Sequence, residues 1–341
     1  MRNFSSSRKG KPRTIVKEMC IFVASFVLLF LVLNWGYVNF LDDRKIINRQ
    51  LDGWEKHKNA LMYGTVPYAF FGDSHPTESI NPQYIENSFN FGTYGQDYIE
   101  TYFILKNLVE KEGIIIENAV LQVDLHTFSY TNVIRSNASL FQELTYYAKF
   151  VSLENISHFT GRNIASLCFQ KKFPIIGRGE EIVEVLISPM KELPIEKGWV
   201  NRSLKDSPFD MKEGVKRKYR QHFNDPLELR NGRTFEYFLK TIDFAHKNNI
   251  KIVFITYPLP KAFDDEIRLH GIEREKFYND TFAEVNKITK EYFILDYYGI
   301  FFDKVGYFAD SDHLNVAGST NFSKRVGTDL ETLSKHNRIK T

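Results

Sequence analysis

Apolar runs of strand length alternate with amphipathic helical stretches over most of this chain, and that alternation predicts its architecture. Val66-Pro67-Tyr68-Ala69-Phe70-Phe71 reads as a strand buried on both faces, and it breaks at once into Gly72-Asp73-Ser74-His75-Pro76. Pro76 suits the first turn of a helix, where its missing N–H would have no intrahelical partner. Ser88-Phe89-Asn90-Phe91 reads as a short second strand ending in Gly92-Thr93-Tyr94-Gly95. Tyr98, Tyr102, Leu105 and Val109 then recur at helical spacing, and Gly113 closes that helix. Ala119 to Asp124 is another buried strand, with Leu125-His126-Thr127-Phe128 at its carboxyl end. Phe235, Phe238, Leu239, Ile242 and Ala245 share one helical face before a strand over 250–257, which Pro258 stops. A helix from about Asp264 to Thr289 leads to the last strand, 292–296, and Phe322, Val326 and Leu330 form the apolar stripe of a closing helix. Strands alternating with helices, and mostly continuously apolar, predict an α/β fold with a parallel sheet covered on both faces.

Two regions stand outside this rhythm. From about Tyr130 to Gly232 the alternation gives way to charged and aromatic pieces, with turn signals at Asp225-Pro226 and Asn231-Gly232. We read 130–232 as a largely helical insertion or cap, and its basic run from Lys212 to Arg220 as a solvated helix face. The other region is N-terminal. From Met19 to Leu41 no charged residue occurs, which is enough to cross about 30 Å of hydrocarbon as one transmembrane helix. Arg2, Arg8, Lys9, Lys11, Arg13 and Lys17 precede it against only Glu18, so the 1–18 tail carries +5 and is expected to stay in the cytoplasm. A cleaved signal peptide is the competing reading, but the apolar run is long for one and no Ala-x-Ala-like site follows. Residues 42–63 then read as a stalk, and 64–335 as the domain outside the membrane.

Charge and cysteine content narrow the picture further. Removing the +5 tail from a whole-chain net charge of +3 leaves −2 on the remainder, which offers no field for nucleic acid. The chain has only 2 cysteines, Cys20 and Cys168, and the first lies in the membrane span, so no intrachain disulfide is expected. No closely spaced set of ligand residues suggests a metal or another cofactor.

The candidate chemistry sits at two strand ends far apart in the chain. Ser74 stands where the first strand meets its helix, a corner of an open α/β sheet at which ligands bind. A strand followed by a helix N-cap explains the same residues. Near the other end, Asp310-Ser311-Asp312-His313 places a carboxylate three residues before an imidazole, close enough to accept its Nδ1–H and leave Nε2 facing a hydroxyl. Helix capping explains Asp310 or Asp312 equally well.

Taken together these blocks resemble the SGNH (GDSL-like) hydrolase superfamily. Phe71-Gly72-Asp73-Ser74 looks like its nucleophile block, Asn90-Phe91-Gly92-Thr93-Tyr94-Gly95-Gln96 like its second block, and Asp310-Ser311-Asp312-His313-Leu314-Asn315 with Ala317-Gly318 like its last. The resemblance implies a flavodoxin-like three-layer sandwich, with Ser74 as nucleophile, His313 as general base and Asp310, rather than Asp312, as its orienting carboxylate. It also implies that the backbone N–H groups of Ser74 and Gly95 hold the oxyanion. The family's Gly-x-Asn-Asp block is missing: Gln122-Val123-Asp124-Leu125-His126-Thr127 stands there with no asparagine. Losing one oxyanion donor typically costs about 10² to 10³ in rate. His126 is a candidate replacement, though a structural histidine also fits that strand end.

This departure and the N-terminal anchor are similar to a narrower branch, the tethered SGNH-like proteins of alginate O-acetylation and of D-alanyl transfer to teichoic acid. That layout implies an O-acetyltransferase working on a cell-surface polysaccharide beside a multipass membrane O-acyltransferase. A tethered esterase or deacetylase is the alternative within the same chemistry. A non-catalytic glycan-binding or scaffolding subunit is the alternative outside it, and the missing asparagine favours it.

Overall fold

The computed structural model describes residues 12–42, 60, 62, 64–129, 152–160, 162–173, 175–176, 195–200, 210–223 and 232–338. The expected stalk and much of the 130–232 insertion, like most of the basic tail, lie outside them. The chain divides into two compact units, 1–49 with 162–190, and 50–161 with 191–341.

In the first unit the N-terminal helix α1 (Pro12–Gly36) runs into a π-helical turn, Tyr37–Asp42. The stretch Ile15–Asn39 is long and apolar enough to cross a membrane, and a signal sequence would have the same character. Part of the predicted insertion, α5 (Ile164–Lys172) with the residues after it, packs on this helix. Phe173 lies 5.4 Å from Phe30 between ring centres, and Asn34 Nδ2 donates to the Lys172 carbonyl at 3.3 Å.

The second unit is built on a five-stranded, all-parallel sheet of the strands β1 (Thr65–Phe71), β2 (Ser88–Asn90), β3 (Ile115–Gln122), β6 (Lys251–Thr256) and β7 (Tyr292–Asp296), in the order β2-β1-β3-β6-β7. Their apolar runs are continuous because helices cover both faces. On one face α10 (Val316–Arg338) buries Phe322, Val326 and Leu330 against Phe70, Val120, Val253 and Ile255. On the other, α3 (Tyr98–Lys106) and α7 (Arg233–Lys247) bring Tyr98 and Phe238 to 4.8 Å, and Phe238 to 5.8 Å from Phe254 of β6. Each such ring withdrawn from water contributes roughly 1.5–3 kcal/mol before entropy is charged against it.

Some elements differ from their sequence prediction. The helix expected over 264–289 is two, α8 (Lys261–Leu269) and α9 (Arg274–Val285), because Gly271 turns the chain at φ +73°. Within the predicted insertion, besides the helix α4 (Leu153–Thr160), a two-stranded hairpin, β4 (Ile195–Glu196) and β5 (Trp199–Val200), closes the β2 edge: the Asn90 N–H donates to the Lys197 carbonyl at 3.0 Å. Gly198 at its turn (φ +90°) lies so close to the Asn90 carbonyl that a Cβ would be 1.8 Å from it.

The strand order fixes where a site can form. From β1 the chain goes to β2 on one side, then to β3 on the other, so the crevice beyond the carboxyl end of β1 is the switch point at which such sheets bind ligands.

Candidate active site

Ser74 occupies that switch point. The chain leaves β1 through Gly72 at φ +146°, where a Cβ would be 2.2 Å from the Gln122 side-chain oxygen, so only glycine fits. That oxygen accepts the Asp73 N–H at 2.8 Å, tying the corner to β3. Asp73 caps α2 (Ser74–Ser79) by accepting the His75 N–H at 2.9 Å. Ser74 remains partly exposed while its neighbours on both sides are buried.

His313 arrives from the opposite end of the chain. The Ala309 N–H donates to the His313 carbonyl at 2.8 Å, and Asn315 caps α10 by accepting the Gly318 N–H at 3.0 Å. Gly318 permits this entry, since a Cβ there would be 2.3 Å from the Tyr307 carbonyl. The result brings His313 Nε2 to 2.8 Å from Ser74 Oγ. On the other side of the ring, Nδ1 lies 3.0 and 3.1 Å from the two Asp310 oxygens. Asp310 also accepts the backbone N–H groups of Asp312 and His313, so it caps the turn and orients the ring at once.

The spacing argument singled out Asp310; the fold adds Asp312. Its Oδ1 lies 3.0 Å from the same Nδ1, without the alignment of a hydrogen bond. Burial pulls His313 towards neutrality, but the charges of Asp312 and Glu78, with the Asp310 hydrogen bond, outweigh it and push the imidazole up to about 10. Burial works to raise Asp310 and Asp312; His313 beside each holds both below the ordinary carboxylate value.

Asp312 is itself held by α6 (Met211–His222), the helix of the basic run. Lys218 Nζ pairs with one oxygen at 3.2 Å and His222 Nε2 with the other at 3.0 Å. This corrects the expectation of a wholly solvated face: Lys212, Arg217 and Arg220 are exposed, whereas Lys218 turns inward. Burial first, then the charge of His126, lowers His222 to about 4, so it is neutral near pH 7.

The proposed oxyanion donors fare differently from one another. Among the described residues the backbone N–H groups of Ser74 and Gly95 have no protein acceptor, and Gly95 is exposed at φ +74°. His126 is not a free donor at Nε2, because that atom lies 2.6 Å from Asp73 Oδ2. The amides that could have replaced the missing asparagine are also engaged. Asn90 donates to the Pro76 and Ile80 carbonyls, and Gln122 donates to Asp124.

Behind Ser74 lies a second buried group that sequence reasoning missed. His75 Nδ1 is 2.9 Å from Asp124, and its ring stands edge-on to His313 at 5.5 Å. Burial pushes Asp73 up and His126 down, but each holds the other charged, Asp73 below and His126 above its ordinary value. His75 directly after Ser74 was the one local sign of this group. Asp124 and His126 could be joined to it only once β3 was known to lie beside β1.

The fold and site define a doubly wound α/β protein with a hydroxyl, an imidazole and carboxylates in series at the switch point, an arrangement able to move a proton off an alcohol. No family model matches the chain, and no curated protein is similar to it at a significant level. Among solved structures the chain is similar to one from Streptococcus pneumonia, described as a presumed platelet activating factor. The two share 12% identity over 87% of this chain and 99% of the other, at a TM-score of 0.32.

Proposed function

We propose that the protein is a membrane-anchored SGNH-type serine acyl enzyme, an O-acetyltransferase acting on carbohydrate outside the membrane. The contact between Ser74 Oγ and His313 Nε2, with Asp310 behind the ring, carries this reading. Neutral His313 takes the Ser74 proton as Oγ attacks the acyl carbonyl. The developing oxyanion is met by the unengaged N–H groups of Ser74 and Gly95. His313, now protonated, gives its proton to the leaving group, and an acyl-serine remains. A sugar hydroxyl then attacks the ester while His313 removes its proton, and as the acyl–serine bond breaks His313 returns that proton to Ser74 Oγ. The carboxylates that raise His313 stabilise the imidazolium formed in each half-reaction.

The apolar N-terminal helix supports anchoring, and the basic residues before it support a cytoplasmic N-terminus with the domain outside. A multipass O-acyltransferase that brings acyl groups across the membrane is the partner this layout suits. Product analysis tests the proposal: the full chain in detergent, an aryl acetate donor and an oligosaccharide acceptor should give O-acetylated sugar, and Ser74→Ala should reduce it at least about 10⁴-fold. Acetate without acetylated sugar would make the protein an esterase. Equal rates for wild type and Ser74→Ala would remove the catalytic reading.

A further inference from the structure

Asp73, His75 and His126 are 5%, 2% and 4% exposed, and one donor atom of each lies within 4.8 Å of the others. Asp124 holds the His75 ring in place. Its Oδ2 faces His75 Nδ1 at 2.9 Å and accepts from Gln122 at 2.8 Å, while its Oδ1 accepts the Tyr257 N–H at 2.9 Å. A carboxylate so placed accepts from Nδ1 and turns Nε2 to the other side. That Nε2 is buried and has no hydrogen-bond partner among the described residues. A buried ring nitrogen left without a partner is costly, so it calls for a hydrogen-bond partner or a cation. A carboxylate behind a histidine whose other nitrogen is free is the usual support of a metal ligand.

We propose that Asp73 Oδ2, His75 Nε2 and His126 Nε2 bind one divalent transition-metal ion of the zinc type directly behind Ser74. Two imidazoles and a carboxylate are ligands that such ions accept, and tetrahedral bonds of about 2.0–2.2 Å set donors roughly 3.4 Å apart. The 2.6 Å between Asp73 and His126, and the 4.8 Å limit on the set, bracket that separation. Binding displaces the proton shared by Asp73 and His126 to solvent and leaves the other Asp73 oxygen on its helix cap. A second grouping, His75 with Asp312 and His313, shares His75. It is disfavoured because a metal there would take His313 from both Asp310 and Ser74, whereas Asp73 Oδ2 and His126 Nε2 engage each other. Short spacing in the sequence could not reveal the set, since His126 comes from the neighbouring strand end.

The test uses untagged full-length protein in detergent, stripped with chelator and titrated with Zn²⁺ alone. Elemental analysis should find a single zinc per chain, and X-ray absorption of the loaded wild type should show paired imidazoles with oxygen and no sulfur. His126→Asn and His75→Gln should lose the zinc. Asp124→Asn should weaken binding about 10- to 100-fold. Ser74→Ala and His313→Gln should keep full stoichiometry. The wild-type spectrum reads the ligands even where a variant fails to fold. Absence of stoichiometric zinc, a spectrum without paired imidazoles, or loss of zinc in His313→Gln would overturn the proposal.

Discussion

At the scale of residues, His313 lies between two carboxylates, and this decides when it can accept a proton. With its pKa pushed up to about 10, the imidazole is charged near neutrality, and the proposed reaction needs it neutral. The rate should therefore rise with pH through that value. Asp312 is the strongest of the raising charges, so Asp312→Asn should move the rising limb of kcat/KM down by about 1–3 units. Activity at pH 7 would increase, and the alkaline plateau would fall as the imidazolium loses support. An unmoved limb in a full pH–rate profile would show that Asp312 does not act on the base. Ser74, His313 and Asp310 were legible because each carries a local mark, a strand-end glycine turn or a three-residue spacing. Asp312 was visible too, but spacing alone favours one carboxylate where the fold sets two beside the ring.

At the scale of elements, α6 governs the site through one turn of side chains. Lys218 offsets part of the negative field that Asp312 casts on His313. Lys218→Met should thus shift the same rising limb upward, by about one unit or less because the ammonium is partly solvated. A downward shift in the pH–rate profile would contradict this. Nothing in the sequence separates Lys218 from Lys216 or Arg217, since charge periodicity shows which helix face is polar and not which residue finds a partner about 90 positions away. The same limit hid the β4–β5 hairpin, whose docking depends on backbone contact at Gly198 and Asn90 rather than on an apolar pattern. The strands of the sheet were readable because burial on both faces leaves an unbroken apolar run. The break between α8 and α9 was not, because apolar spacing continues across Gly271.

At the scale of the whole molecule, the order β2-β1-β3 brings residues more than two hundred positions apart to one crevice. Alternating strands and helices made that fold class legible; the insertion, lacking the alternation, was not. The charges gathered there tie stability to pH in a definite sense. Asp73, Asp310 and Asp312 are depressed below 3.8, so their contribution is present above that value and lost as pH falls through their folded values. His313 is raised from 6.5, so its contribution is complete below 6.5 and lost as pH rises through about 10. The melting temperature of the detergent-solubilised chain should be highest near pH 6.5, because His222, lowered to about 4, costs stability below that, and it should fall towards pH 10; a rise over that alkaline range would contradict the assignment. The most direct measurement of the central claim is intact and peptide mass spectrometry after a brief alkaline incubation with an aryl acetate. We expect one acetyl group on the peptide carrying Ser74, and none when Ser74→Ala is treated identically; an unmodified serine in the wild type, with aryl ester still consumed, would show that the reaction does not pass through this residue.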